Sequence, residues 1–285
     1  MAQVRNKLVR GLCLVTVLTL VHLTAQNIWA APIHDAVKAG DLQRVSALLA
    51  GDPDLIHTED TNSETPLVCA VQTGNLAMVK LLLSKGSSVR EQTTQGMTPL
   101  HAAAAAQQEA MLSFLLQRGA DVNAKEKKNG MSPLAIAAFL SDVEAAQLLL
   151  SKRADVNSKT DVGTTPLQFV AIHGNSSMAG LLLEHGAQVN AADATGFTAL
   201  MEAVRVGNES VVELLLSKGA SMSPVGVGGF TALHLAAFND RRKIADLLVA
   251  HGANPQAKDE TGETPCQVAL SKGNHDVAEY LCGLK

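Results

Sequence analysis

One six-residue phrase, returning at a near-constant interval, constrains this 285-residue chain more than any other feature. Its fullest copy is Thr98-Pro99-Leu100-His101-Ala102-Ala103. It recurs as Thr65-Pro66-Leu67, Ser132-Pro133-Leu134, Thr165-Pro166-Leu167, Thr198-Ala199-Leu200, Thr231-Ala232-Leu233-His234 and Thr264-Pro265-Cys266. A less regular first copy is Ala31-Pro32-Ile33-His34. The copies start at 31, 65, 98, 132, 165, 198, 231 and 264, always 33 or 34 residues apart. A fixed period of this kind means one supersecondary unit stacked on copies of itself, each unit burying its apolar side only against its neighbours. Single-core domains split above roughly 250 residues, but a linear core can keep growing. Residues 31–285 are therefore expected to form one domain.

The unit at 198–230 reads as helix, turn, helix, turn. Thr198 suits an N-cap, where its hydroxyl takes up a free amide of the first turn. In other copies Pro follows the Thr or Ser, and Pro is favoured at the first helical position. The first helix should end near Val206, stopped by Gly207. Asn208 then reads as the cap of a second helix, with Glu209 favourably placed at its positive end. The same position holds Asp41, Asn75, Asp142, Asn175 and Asn274, while Gln108 and Arg241 depart. Val211, Val212, Leu214, Leu215 and Leu216 form the apolar face. Gly219 should end the second helix in the left-handed conformation, as should Gly86, Gly119, Gly186 and Gly252. Arg153 stands at this position in the fourth unit, where a Cβ is costly. The glycine closing the first helix is likewise replaced at Gln107, Ser141 and Asp240. The turn Ser221 to Gly228 is apolar where its neighbours read like Asp121-Val122-Asn123-Ala124; it is either drift or a partner contact.

Residues 1–30 have the layout of a secretory signal peptide. Arg5, Lys7 and Arg10 precede an apolar run from Leu12 to Leu23, and small residues follow. That run falls short of the roughly 20 residues that span a bilayer, so no membrane insertion is expected after cleavage. The expected cut follows Ala30; cutting after Ala31 would leave Pro32 at the new terminus. Cys13 lacks the small-residue context of a lipoprotein cysteine. This segment holds three of the 23 Lys and Arg and none of the 27 Asp and Glu, leaving the remainder at −7. An acidic chain argues against nucleic acid or an anionic membrane as partner. The one basic run, Lys125 to Lys128, is interrupted by Glu126 and reads as a solvated loop. Cys69, Cys266 and Cys282 replace apolar residues of the pattern, so buried packing is the default for each. Cys266 and Cys282 lie on the two antiparallel helices of the last unit, and a bond between them is possible, subject to tight geometry.

The phrase and its period resemble those of the ankyrin repeat family over all of 31–285. The resemblance implies an all-α solenoid of eight helix-turn-helix repeats with short β-hairpin-like turns. It also implies that partners bind a concave face lined by the first helices and the turns. The seventh and eighth positions after each phrase start point to that face. They hold Lys38 and Ala39, Gln72 and Thr73, Ala105 and Ala106, Phe139 and Leu140, Ile172 and His173, Arg205 and Val206, Phe238 and Asn239, and Ser271 and Lys272. The residue before each phrase leans the same way and includes Phe197 and Phe230. The expected partner-binding set is Phe139, Leu140, Ile172, Phe197, Arg205, Val206, Phe230 and Phe238, because aromatic and Arg anchors carry most interface energy. An aromatic before the phrase also has a structural role, packing on the neighbouring turn; that reading competes for Phe197 and Phe230.

No nucleophile elbow, phosphate loop or zinc helix is present in the sequence. His34, His101 and His234 belong to the phrase and read as hydrogen-bonding groups between turns. His185 and His251 suit the negative ends of helices. No cofactor or metal is expected. The resemblance extends to exported bacterial ankyrin proteins. It implies a non-enzymatic, monomeric adaptor for a protein partner, in the periplasm or secreted. The alternatives are an effector engaging a host protein and, behind it, a hydrolase with an unrecognised site.

Overall fold

A computed structural model describes residues 32–284. The expectations for the targeting segment, the cut after Ala30 and Cys13 lie outside the described residues. The structure divides into two compact units, meeting in sequence at Ala120 and Asp121. Sixteen α-helices account for almost all regular structure among the described residues, and the one isolated β-bridge pairs Ala192 with Thr198. No described helix is long and apolar enough to cross a membrane.

The first unit runs α1 (32–38), α2 (Leu42–Gly51), α3 (Pro66–Gln72), α4 (Leu76–Ser84), α5 (Pro99–Ala105) and α6 (Glu109–Gln117). Ile33, Leu67, Met78, Leu82, Leu100, Leu112 and Leu115 form its core. After α2 a 3-10 helix, Pro53–His57, buries Leu55 and Ile56. Asp52 starts it by accepting from the Asp54 amide at 3.1 Å.

The second unit holds α7 (Pro133–Leu140), α8 (Val143–Ser151), α9 (Pro166–His173), α10 (Ser176–Glu184), α11 (Ala199–Val206), α12 (Glu209–Ser217), α13 (Ala232–Phe238), α14 (Arg242–Ala250), α15 (Pro265–Lys272) and α16 (His275–Cys282). Here α7, α9, α11, α13 and α15 pack as one row and α8, α10, α12, α14 and α16 as a second. Each first helix also packs on its own second helix. Packing is thus local in sequence, as a repeated unit requires.

The caps explain why each helix begins where it does. The side chains of Thr65, Thr98, Ser132, Thr165, Thr198, Thr231 and Thr264 each accept the amide three residues on. Asp41, Asn75, Asp142 and Asn175 do the same for second helices. Asn208 and Asn274, read as caps from the sequence, make no cap bond. Their Nδ2 groups turn instead to the end of the first helix of the repeat before, α9 for Asn208 and α13 for Asn274. Asn208 donates to the Ala171 carbonyl at 2.7 Å and Ile172 at 3.0 Å, and Asn274 to Ala237 at 2.8 Å and Phe238 at 3.1 Å. Arg241 and Gln108 reach equivalent carbonyls of Val206 and Gln72. An orphan helix-end carbonyl competes for the amide group and wins.

Another bridge joins successive turns. Asn157 accepts the Gln188 amide at 2.8 Å and donates to the Gly186 carbonyl at 3.1 Å. Asn190 does the same with Ser221 and Gly219, and Asn123 accepts from Asp155. Ser223 occupies the corresponding place in the atypical turn and is too short to reach. A cleft of about 280 Å³ lies there, lined in part by Met222, Ser223, Gly252 and Asn254.

The default of buried packing holds for Cys69, which is fully buried. It fails for the other two. Half-buried Cys266 and exposed Cys282 are joined by a disulfide with Cα atoms 5.1 Å apart. Antiparallel pairing puts the start of α15 beside the end of α16, within bridging distance.

Candidate protein-binding surface

Each first helix of the second unit ends at a left-handed residue or just before one. Ser141, Gly174, Gly207, Asp240 and Gly273 all have positive φ. The chain turns sharply there, so the last two side chains of the helix stand clear of the packed rows. Phe139 is 45 % exposed, Leu140 37 % and Phe238 40 %. Ile172 and Val206 are half-buried and Arg205 is exposed.

Two aromatic clusters result. Phe139 meets Phe169 edge-on at 5.7 Å and His173 at 5.0 Å between ring centroids. The His173 ring is itself fixed by a 2.8 Å contact between Nδ1 and the Phe169 carbonyl. In the second cluster Phe230 stacks on His234 at 5.5 Å and meets Phe238 edge-on at 6.0 Å. The Lys272 ammonium lies 4.3 Å over the Phe238 ring, a cation–π contact. Arg205 lies between the clusters in sequence and pairs with Glu202 of its own helix at 2.7 Å.

Phe197 is half-buried and packs on the atypical turn. A Cβ on Gly226 would stand 2.4 Å from its ring. Asp193 and Asp259, at the place equivalent to Gly226, each use their carboxylates to hold turn amides. Gly226 gives up that acceptor to admit the ring, and Val225 (54 % exposed) and Val227 (68 %) are left facing solvent. Val162, on another turn, is 62 % exposed and was not singled out in the sequence, because a lone turn valine carries no periodic signal. Phe169 escapes for a different reason: it lies on α9 inside the repeated phrase, where a side chain reads as core.

The phrase histidines are scaffold. His34, His101 and His234 are at most 1 % exposed. In His234, Nδ1 accepts the Thr231 amide at 3.2 Å and Nε2 lies 3.0 Å from the Glu263 carbonyl. Burial pushes the His234 imidazole below its ordinary range, against the pull of Glu263 and Asp259.

One other group of ionisable side chains stands out, in the first unit. Ligand atoms of Asp60, Glu64 and Cys69 lie within 4.8 Å of one another. The Lys38 ammonium bonds Asp60 at 2.8 Å. Gln72 bonds Glu64 at 2.6 Å, and the Cys69 thiol donates to Glu64 at 3.6 Å. Burial pushes the Cys69 thiol up to about 12, so it stays protonated. Burial alone would raise Asp60, but Lys38 and the amides of Asn62 and Glu64 hold it below its usual range. With its acceptors engaged by a cation, an amide and a protonated thiol, the cluster is a satisfied polar network.

A family model described as ankyrin repeats, in three copies, matches residues 33–126, 134–225 and 221–285. The chain belongs to the ankyrin repeat family. No curated protein matches it. Ankyrin repeats form protein-interaction domains, and the family is generally one of non-enzymatic scaffolds.

Proposed function

We propose that this ankyrin repeat chain is an exported bacterial scaffold that binds a partner protein through the first-helix ends and turns of its second unit. One observation carries the reading. Nine large apolar residues are exposed among the described residues, and seven lie in the second unit. Those seven are Phe139, Leu140, Phe238 and Leu270 on first helices and Val162, Val225 and Val227 on turns; the second helices of that unit contribute none. A stack that buries its apolar side chains elsewhere and leaves them out along these elements presents a binding surface. Export to the periplasm is supported by the layout of residues 1–30 and by the disulfide, a bond that persists in oxidising compartments.

The test is in-cell cross-linking of wild type against a Phe139→Asp/Phe238→Asp variant, with fractionation of cell envelope and medium. Each substitution should change folding by only about 0.5 kcal/mol, as at other exposed sites. Partner binding should weaken by at least ~2 kcal/mol, about 30-fold, because a charge enters a desolvated contact. Recovery of the same cross-linked partner by a folded variant would refute the reading.

A further inference from the structure

The last repeat differs from its neighbours at the residue that ties its helices together. Leu67, Leu100, Leu134, Leu167, Leu200 and Leu233 of the phrase are at most 1 % exposed. The same place in the last repeat holds Cys266, only half-buried and bonded to Cys282. Burial elsewhere in that repeat is thin. α15 buries Pro265, Val268 and Ala269, and α16 buries Val277, Ala278 and Leu281. The preceding α13 alone buries six residues. A terminal repeat with so few buried side chains opens most readily, since stability in a stack is a sum of local terms.

Three contacts link this repeat to the second aromatic cluster. Lys272 covers the Phe238 ring. Asn274 holds the carbonyls of Ala237 and Phe238. Glu263 holds His234, on which Phe230 stacks. When α15 and α16 separate from α13, all three are lost together.

We propose that the Cys266–Cys282 disulfide is a redox latch: oxidised, it keeps the last repeat closed and the Phe230–Phe238 end of the binding surface in shape, and reduction by a dithiol releases both. The chemistry balances as an exchange. A thiolate of the dithiol attacks exposed Cys282 Sγ, and Cys266 leaves as a thiolate. Cys266 lies in the first turn of α15, where a helix favours negative charge. The second thiol of the reductant then attacks its own sulfur in the mixed disulfide and releases Cys282. Two electrons and two protons pass to the protein as two thiols, and the reductant becomes a disulfide. The importance of the aromatic cluster rests on the proposed binding surface; the latch itself does not.

Hydrogen exchange read by mass spectrometry on the whole protein tests it without a partner. The oxidised form, the dithiothreitol-reduced form and a Cys266→Ser/Cys282→Ser variant are compared. Cross-linking a separation of 16 residues restricts the open state. Reduction should therefore speed exchange over 265–282 by a factor on the order of 100. Protection of 232–238 should fall with it, α7 to α12 should stay unchanged, and the variant should match the reduced form with or without dithiol. Unchanged exchange over 265–282 would overturn the latch. Faster exchange there with 232–238 unmoved would overturn its coupling to the cluster. Failure of the binding-surface reading shows separately, as unaltered partner recovery by the double aspartate variant.

Discussion

Replacing Arg153 by glycine should stabilise the protein, and the structure isolates why. Arg153 has φ of 66°, at the place where other repeats carry glycine. Its hydrogen bonds are those of its neighbours. The Arg153 amide reaches the Leu150 carbonyl at 2.9 Å and the Ala154 amide reaches Leu149 at 3.0 Å. At the next repeat Gly186 reaches Leu183 at 3.1 Å and Ala187 reaches Leu182 at 2.9 Å. Only the Cβ differs. A side chain in the left-handed region costs about 1–2 kcal/mol. Glycine returns about 0.5–1 kcal/mol of that through the greater freedom of its unfolded chain. The net gain is about 0.5–1 kcal/mol. For a denaturant slope of about 2–3 kcal/mol/M, the urea midpoint should rise by about 0.2–0.5 M. The converse change, Gly186→Ala, should lower the midpoint by a similar amount. No atom lies within 4 Å of a Cβ built there, so its cost is backbone strain alone. An unchanged or lowered midpoint for Arg153→Gly, at the same slope, would refute the strain argument and point to a compensating contact of the guanidinium.

Ser223→Asn should restore the missing turn bridge, with the Asn254 amide and Gly252 carbonyl as its partners, and stabilise by about 0.5–1.5 kcal/mol in urea unfolding. Gly226→Ala should destabilise by about 1–3 kcal/mol, since its Cβ collides with Phe197 while its backbone is unstrained. His234→Gln should lessen acid sensitivity. Burial lowers the folded pKa of His234, so the unfolded chain binds the proton first, and stability is lost as pH falls from about 6.5. Gln168 already makes the same pair of bonds, accepting from the Thr165 amide and donating to the Phe197 carbonyl. An equal loss between pH 7.5 and 5 in urea midpoint for wild type and variant would contradict this. The expected cut after Ala30 would remove Trp29, the only tryptophan, so protein recovered from the cell envelope should lack indole fluorescence, and indole emission from it would refute that cut.

Much of this fold is legible in the sequence because its determinants are short-range. Thr198 caps an amide three residues away, and Gly207 and Gly219 end helices by their own backbone conformation. Ser141, Arg153 and Asp240 adopt the same left-handed turn without glycine, and after each of them the next amide bonds back to the helix just ended. What escapes is settled between repeats. Asn208 and Asn175 hold the same place in the pattern. The Asn175 side chain stays on its own helix and accepts the Met178 amide at 2.9 Å. The Asn208 side chain instead donates to the carbonyls of Ala171 and Ile172 in the repeat before it. The seat of Phe197 on Gly226 spans 29 residues of chain and leaves no periodic trace. The Cys266–Cys282 bond, which the sequence left open, is decided within one repeat by how its two helices pair. On the candidate surface, exposure at Phe139 and Phe238 is what the family resemblance implies for their places in the repeat. For Phe197 and Phe230 the sequence left exposure and packing both open, and both are half-buried, Phe197 against Gly226 and Phe230 against His234.

The asparagine bridges between turns have a consequence for how such a chain changes over generations. Asn157 and Asn190 engage only main-chain amides and carbonyls of the following turn. Those groups are the same whatever side chains the next repeat carries, so the joint is indifferent to its neighbour's sequence. A duplicated or deleted repeat therefore finds a ready connection on either side, and gain or loss of whole units needs no matching substitution at the seam. At Ser223 the joint changes. The seam after it lacks that side-chain bridge and keeps a main-chain bond, from the Glu260 amide to the Gly228 carbonyl at 3.0 Å, so a new repeat inserted there would find one connection fewer.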